Sequence, residues 1–148
     1  MRKLKNKTVL ITGASSGLGK DFAFLYAEKG YNLVLTARRE DNLNIIASDL
    51  IKKYNISALI IPADLGEKEG PNKIFNFCEE NDIKIDILIN NAGYGLTGEF
   101  DKISWEDHDT FINVLSTSAI ALTRLFLPSM VDRKYGRVVN VSSVAAFA

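Results

Sequence analysis

Five short runs of aliphatic and β-branched residues, at 8–12, 32–36, 58–61, 86–89 and 137–141, are spaced along the chain with helix-period segments between them. The runs are apolar on successive residues, as in Leu33-Val34-Leu35 and Ile87-Leu88-Ile89. A strand that is apolar at both odd and even positions has both faces covered, the habit of parallel sheets held between helices. In the intervening segments Leu18, Phe22, Leu25 and Tyr26 fall at helical spacing, as do Leu43, Ile46 and Leu50, and then Ile74, Phe77 and Cys78. Gly30 stands where the first helix should stop. Strictly alternating strands and helices imply an α/β fold, with parallel strands joined by right-handed crossovers. At 148 residues the expectation is a single domain over residues 1–148.

Charge and composition narrow the setting. Eighteen basic and eighteen acidic residues cancel, so no long-range field points to nucleic acid or an anionic membrane. The basic start Met1-Arg2-Lys3-Leu4-Lys5 leads into polar residues rather than a long apolar stretch, so neither a signal peptide nor a membrane span is expected. One cysteine, Cys78, cannot form an internal disulfide and fits a reducing, cytoplasmic compartment. No clustered His and Cys propose a metal site, and His108 between Asp107 and Asp109 reads as a solvated side chain. The segment 105–130 is unlike the other helices. Phe111, Ile112, Val114, Leu115, Ile120, Leu122, Leu125, Phe126 and Met130 cover nearly its whole circumference, so it should be buried. Ordinary core packing and a homo-oligomer interface both remain open for it.

The chemistry begins at the first strand-to-helix turn, Thr12-Gly13-Ala14-Ser15-Ser16-Gly17-Leu18-Gly19. Gly13 permits a tight turn, Gly17 lets backbone approach a pyrophosphate, and Gly19 lets the helix pack closely on the sheet. The positive end of the helix favours the phosphate charge. The spacing is G-x-x-x-G-x-G, and a glycine triplet alone is weak. Its place at the first βα junction, with a second strand following, makes it a dinucleotide site formed by Thr12, Gly13, Ser15, Ser16, Gly17, Leu18 and Gly19. Which dinucleotide is decided at the end of the second strand, Thr36-Ala37-Arg38-Arg39. NAD(H) sites carry an acidic residue there for the ribose 2′-hydroxyl. Here the first carboxylate is Glu40, beyond two arginines. Two charges about 4 Å apart near a surface interact by roughly 4 kcal/mol before desolvation, so the sign matters. The expected cofactor is NADP(H) rather than NAD(H), with Arg38 ranked ahead of Arg39 as the 2′-phosphate contact.

With these motifs in order, the chain resembles the classical short-chain dehydrogenase/reductases along its whole length. Thr12 to Gly19 matches that family's cofactor turn. Asp64, in Pro62-Ala63-Asp64-Leu65, matches its adenine-contacting acid. Asn90-Asn91-Ala92-Gly93 matches its N-N-A-G signature, Asn113 the helix asparagine of its catalytic tetrad, and Val139-Asn140-Val141-Ser142-Ser143 the strand bearing its catalytic serine. The resemblance implies a Rossmann-like three-layer αβα fold with strands in the order 3-2-1-4-5 and later strands missing. It implies cofactor contacts at Asp64, Leu65, Asn91, Ala92 and Gly93, and catalytic roles for Asn113 and Ser143, with Ser142 the neighbouring alternative. It also implies hydride transfer between a small carbonyl and an alcohol. Read without the family, Asn90 and Asn91 are turn formers, the serines are cap or loop residues, and Asn113 is a helix side chain needing a partner.

The family's proton donor is a tyrosine followed four residues later by a lysine, beyond the serine. Ala148 ends this chain, and the residues four past Tyr26, Tyr31, Tyr54, Tyr94 and Tyr135 are Gly30, Leu35, Ala58, Gly98 and Val139. The expectation is therefore a C-terminally incomplete cofactor-binding domain, inactive alone, with 137–141 left as an apolar edge and the long helix partly uncovered. A non-catalytic nucleotide-binding or interaction module and an inactive truncated product are the alternatives.

Overall fold

The computed structural model describes residues 7–143; the basic start at 1–5 lies outside them. In chain order the elements are β1 (Thr8–Thr12), α1 (Gly17–Glu28), β2 (Asn32–Ala37), α2 (Glu40–Tyr54), β3 (Ala58–Pro62), α3 (Gly70–Glu80), β4 (Ile87–Asn90), α4 (Trp105–Ile112), a π-helical turn (Asn113–Thr117), α5 (Ser118–Asp132) and β5 (Arg137–Asn140). The strands form one parallel sheet in the order β3-β2-β1-β4-β5. This is the parallel α/β arrangement the alternation implied, in the Rossmann-like strand order the family resemblance implied. The chain steps from β1 to β2 on one side and later from β1's other neighbour β4 outward, so a crevice opens at the carboxyl ends of β1 and β4. Strand ends differ from the sequence reading by one residue. β2 and β3 run on to Ala37 and Pro62, β4 begins at Ile87, and β5 stops at Asn140.

The continuous apolar runs divide between the two faces of the sheet. Val9, Ile11, Leu33, Leu35, Ile87 and Ile89 face α1 and α2, packed with Ala23, Ala27, Leu43 and Leu50. Leu10, Val34 and Leu88 face the other layer, with Ile74 and Cys78 of α3 and Leu122, Phe126 and Met130 of α5. Burying a large aliphatic side chain contributes about 1.5–3 kcal/mol, so these two clusters hold the sandwich together.

Two helical expectations need correction. The buried row of α1 is not the large stripe of Leu18, Phe22, Leu25 and Tyr26 but Gly19, Ala23 and Ala27. Leu18 is 60% and Leu25 46% exposed. Small residues at i, i+4 and i+8 let α1 lie close on β1 beside the glycine turn, which pushes the bulkier side chains to the flanks. The segment 105–130 is not one buried helix. The π-helical turn splits it, and only Ser118, Leu122, Phe126 and Met130 of α5 are buried. Ile112, Leu115, Ile120, Leu127 and Val131 stay exposed, Ile120 at 69% and Val131 at 63%. The sequence pattern saw the apolar residues, but among the described residues the sheet at this end runs to β5 and covers one side of the helix. By length and mean hydropathy, 1.5, Trp105–Asp132 also suffices to cross a membrane; in the structure one row of it is packed on α3 and the sheet.

At the opposite, amino end of the sheet, Asp86 gathers the chain. Its carboxylate accepts from Arg133 Nη1 at 2.7 Å, from the Thr8 amide at 3.0 Å and from Lys7 Nζ at 3.5 Å. Arg133 Nη2 also donates to the Ile85 carbonyl at 2.7 Å, and Lys7 Nζ sits 3.4 Å from the centre of the Tyr135 ring. The end of α5, the start of β1 and the start of β4 are thus tied at one buried charge.

Candidate functional site

β1 delivers the chain into Gly13 at φ +66°, and α1 begins at Gly17 at φ +52°, left-handed values that favour glycine. The turn is fixed from behind by Thr12, which is almost fully buried. Its hydroxyl donates to the Ile89 carbonyl at 3.3 Å and accepts from the Asn91 and Ala92 amides, each at 2.9 Å. Asn91 returns a bond from Nδ2 to the Thr12 carbonyl, also 2.9 Å. Ala14 N–H donates to the Thr36 carbonyl at 3.2 Å, which joins the turn to β2. A Cβ on Gly13 would lie 2.9 Å from Ala92 Cα, and one on Gly19 would meet the Gly13 carbonyl and lie 2.6 Å from Asn91 Nδ2. Gly17 faces open space instead, where a ligand backbone can approach.

In front of this frame is a cleft of about 170 Å³. It brings together Gly13, Ser15, Ser16, Arg38, Asp64, Leu65, Ala92 and Gly93, all read as site residues from the sequence, with Arg39, Tyr94 and Val114 added. Thr12, Asn91 and Gly19 stand behind the lining as its support, and Leu18 is exposed on the flank of α1. Both arginines line the cleft, yet only Arg39 reaches the turn. Its Nη2 donates to Ser15 Oγ at 3.1 Å and Ser16 Oγ at 2.8 Å. One cation and two hydroxyls therefore stand together at the end of β2, where an anionic oxygen would find charge-assisted donors. The sequence signal for Arg39 was present in the arginine pair; the turn that folds its guanidinium back over the serines was not legible. Asp64 Oδ1 accepts from the Gly66 amide at 2.9 Å, which turns the loop after β3 toward α4.

The two residues expected to be catalytic sit outside the cleft lining. Asn113 opens the π-helical turn, and its Nδ2 donates to the Gly66 carbonyl at 3.3 Å and to Asp109 Oδ2 at 3.1 Å. The Ser118 amide donates to the Asn113 carbonyl, and Ser118 Oγ donates to the Val114 carbonyl at 2.9 Å. A π-helical turn inside an α-helix is common at functional sites. Ser142 and Ser143 follow the end of β5, both exposed, on the carboxyl side of the sheet. Their strand is registered by Asn140, opposite Asn90 in the β4–β5 ladder; Asn90 Nδ2 donates to Asn140 Oδ1 at 2.9 Å. Elsewhere, the His108 ring packs at a tilt against Phe100, with ring centres 4.8 Å apart. Burial pushes the Cys78 thiol up to about 12, so it is inert packing. Among the described residues no cluster of His, Cys, Asp and Glu forms a metal-binding group.

A family model for short chain dehydrogenase matches residues 7–148. The chain belongs to the short-chain dehydrogenase family. Within it the chain is 37% identical to the uncharacterized oxidoreductase YvaG of Bacillus subtilis, over 97% of this chain and 53% of the relative. It is 36% identical to the NADP-dependent 3-hydroxy acid dehydrogenase of Schizosaccharomyces pombe, over 98% of this chain and 57% of the relative. Among solved structures, a short-chain dehydrogenase from Sphingobium yanoikuyae in complex with NADPH superposes with a TM-score of 0.90 at 35% identity, covering 96% of this chain and 55% of that one. L-Sorbose reductase from Gluconobacter frateurii, complexed with NADPH and L-sorbose, superposes with a TM-score of 0.90 at 30% identity, covering 96% and 54%. The chain spans about half the length of the short-chain dehydrogenases it matches.

Proposed function

We propose that this chain is the cofactor-binding part of an NADP(H)-dependent oxidoreductase that moves hydride between a small carbonyl compound and its alcohol. The observation that carries the reading is the basic end of β2, where Arg39 is held on Ser15 and Ser16 beside Arg38 and no carboxylate stands between β2 and Glu40. An acidic side chain there would repel a 2′-phosphate; a guanidinium bonded to two hydroxyls attracts it. The glycine cradle fits a dinucleotide, since any Cβ at Gly13 or Gly19 would push the turn off Asn91 and Ala92. The α1 N-terminus and Gly17 receive the pyrophosphate, and Asp64 and Leu65 face the adenine. Asn91 supports the lining formed by Ala92 and Gly93. When bound, the cofactor supplies or accepts the hydride.

Of this chain's own residues, Ser143 donates a hydrogen bond to the carbonyl oxygen, and Asn113 holds the turn that organises a proton-relay water. No tyrosine in residues 1–148 is followed four residues later by lysine, the pair that serves as proton donor in the family the chain resembles. NADPH and NADH titrations test the reading: NADPH should bind at least about tenfold tighter, as one charge-assisted contact predicts. Equal affinity would sink it. The exposed row of Ile112, Ile120, Leu127 and Val131 favours a second reading, a nucleotide-binding interaction module pairing through this helix. Concentration-dependent self-association of the NADPH-binding chain, lost in Ile120→Ser, would support that one.

A further inference from the structure

The loop after β3 touches both ends of the site. Asp64 is on the cleft wall, and its carboxylate is held by the Gly66 amide at 2.9 Å. The carbonyl of the same Gly66 accepts from Asn113 Nδ2 at 3.3 Å. The packing is as close as the bonding: a Cβ on Gly66 would lie 2.8 Å from Thr110 Cγ2, 3.2 Å from Asp64 Oδ1 and 3.7 Å from Val114 Cγ2. Thr110 is on α4, and Val114 is in the π-helical turn and also lines the cleft. Gly66 is therefore in contact range of Asp64, α4 and the π-helical turn at once, and only a residue without a side chain fits between them.

We propose that Gly66 is a positioning residue that ties the Asp64 wall of the cleft to the π-helical turn carrying Asn113, so that the two are set as one piece. Asn113 spends its side-chain amide on this tie and on Asp109, which fixes the turn rather than leaving the amide free for a ligand. The roles of Asp64 and Asn113 rest on the cofactor reading above; the tie itself does not. Its consequence is that a ligand ordering the Asp64 loop also orders the π-helical turn, and loosening either end loosens the other.

The test reads amide hydrogen exchange by NMR in the intact chain. Without ligand, Asn113→Ala should speed exchange of the Gly66 amide about fivefold, the loss of one net hydrogen bond, while amides of β1 and β2 are unchanged. Gly66→Ala should loosen the π-helical turn, and adding Thr110→Ser, which removes the methyl facing the new Cβ, should restore most of the protection. Unchanged Gly66 exchange in Asn113→Ala, or no recovery in the double variant, overturns the tie. If Gly66→Ala does not fold, recovery of a folded protein by Thr110→Ser supports it and continued failure to fold counts against it. A second arm adds 2′,5′-ADP. Exchange in residues 114–118 should slow in the native chain and not in Asn113→Ala; equal slowing in both overturns the proposal. If 2′,5′-ADP does not bind at all, the cofactor reading fails, and the ligand-free arm still decides the tie.

Discussion

The helices α1 and α5, on opposite faces of the sheet, use opposite kinds of residue. On one face α1 presents Gly19, Ala23 and Ala27, and α2 presents Leu43, Ile46 and Leu50; together they seal the odd-numbered side of β1, β2 and β4. On the other, α5 carries far more apolar surface than the sheet accepts, burying Leu122, Phe126 and Met130 and leaving Ile120, Leu127 and Val131 outside. Burial follows from what lies opposite a residue, not from how apolar its helix is. The small-residue helix sits under the glycine turn, where closeness matters; the large-residue helix flanks β5, at the edge of the sheet.

The sharpest way to break this contrast is to cut equal side chains from the two layers. Leu43→Ala should cost about 3–4 kcal/mol in urea denaturation, and Leu122→Ala about 2–3 kcal/mol, because the open side of α5 lets the cavity relax. A larger loss at Leu122 would mean that α5 is the tighter layer. Asp86→Asn should cost about 2–3 kcal/mol, since Arg133 and Lys7 lose the charge that pairs them at the amino end of the sheet. A change under about 0.5 kcal/mol would show that α5 does not depend on that anchor. Arg39→Ala should weaken NADPH binding about tenfold and leave NADH unchanged. If Arg38→Ala has the larger effect, the serine-held guanidinium is not the main phosphate contact.

Cys78 probes the α3 side of the same contrast. Its folded thiol is raised to about 12 from an ordinary 9.0, so the neutral form is favoured in the native state. The stability this confers is complete below the ordinary value and is lost as pH rises toward the folded one. Urea midpoints should fall across that window, and fall less in Cys78→Ala; identical slopes would mean the thiol is not sealed under α3. The smallest effect is expected on the exposed row. Ile120→Ser should change stability by no more than about 0.5 kcal/mol while reducing self-association by light scattering, and a large loss of stability would mean the row is packed after all.

The contrast also shows what the sequence could and could not disclose. The strands were legible because each is apolar at consecutive positions, and α2 and α3 because their sheets of Leu, Ile and Cys fall on one side of a helix. The order of the strands followed from the family resemblance, and the motifs at their carboxyl ends named much of the cleft lining but not Tyr94 or Val114. The buried row of α1 was not legible, because an Ala or Gly row scores weakly beside Leu18 and Leu25 although it makes the closer contact. The break at Asn113–Thr117 left no trace either, since Asn113-Val114-Leu115-Ser116 continues a helical pattern and the Asn113 bond to the Gly66 carbonyl joins residues 47 positions apart. The sequence places Arg38 ahead of Arg39 as the phosphate contact, whereas in the structure it is the Arg39 side chain that turns back to Ser15 and Ser16.

The bonds of Thr12 also set an order of events. Its hydroxyl meets Ile89, Asn91 and Ala92, residues 77, 79 and 80 positions away. During synthesis β1, α1, β2 and β3 can associate early through short crossovers, but the glycine turn has no back support until the chain beyond Ala92 has emerged. A dinucleotide therefore cannot act as a nucleus for the first half of the sheet. Binding energy at the glycine turn can be gained only by a chain that has already closed the long loop to β4.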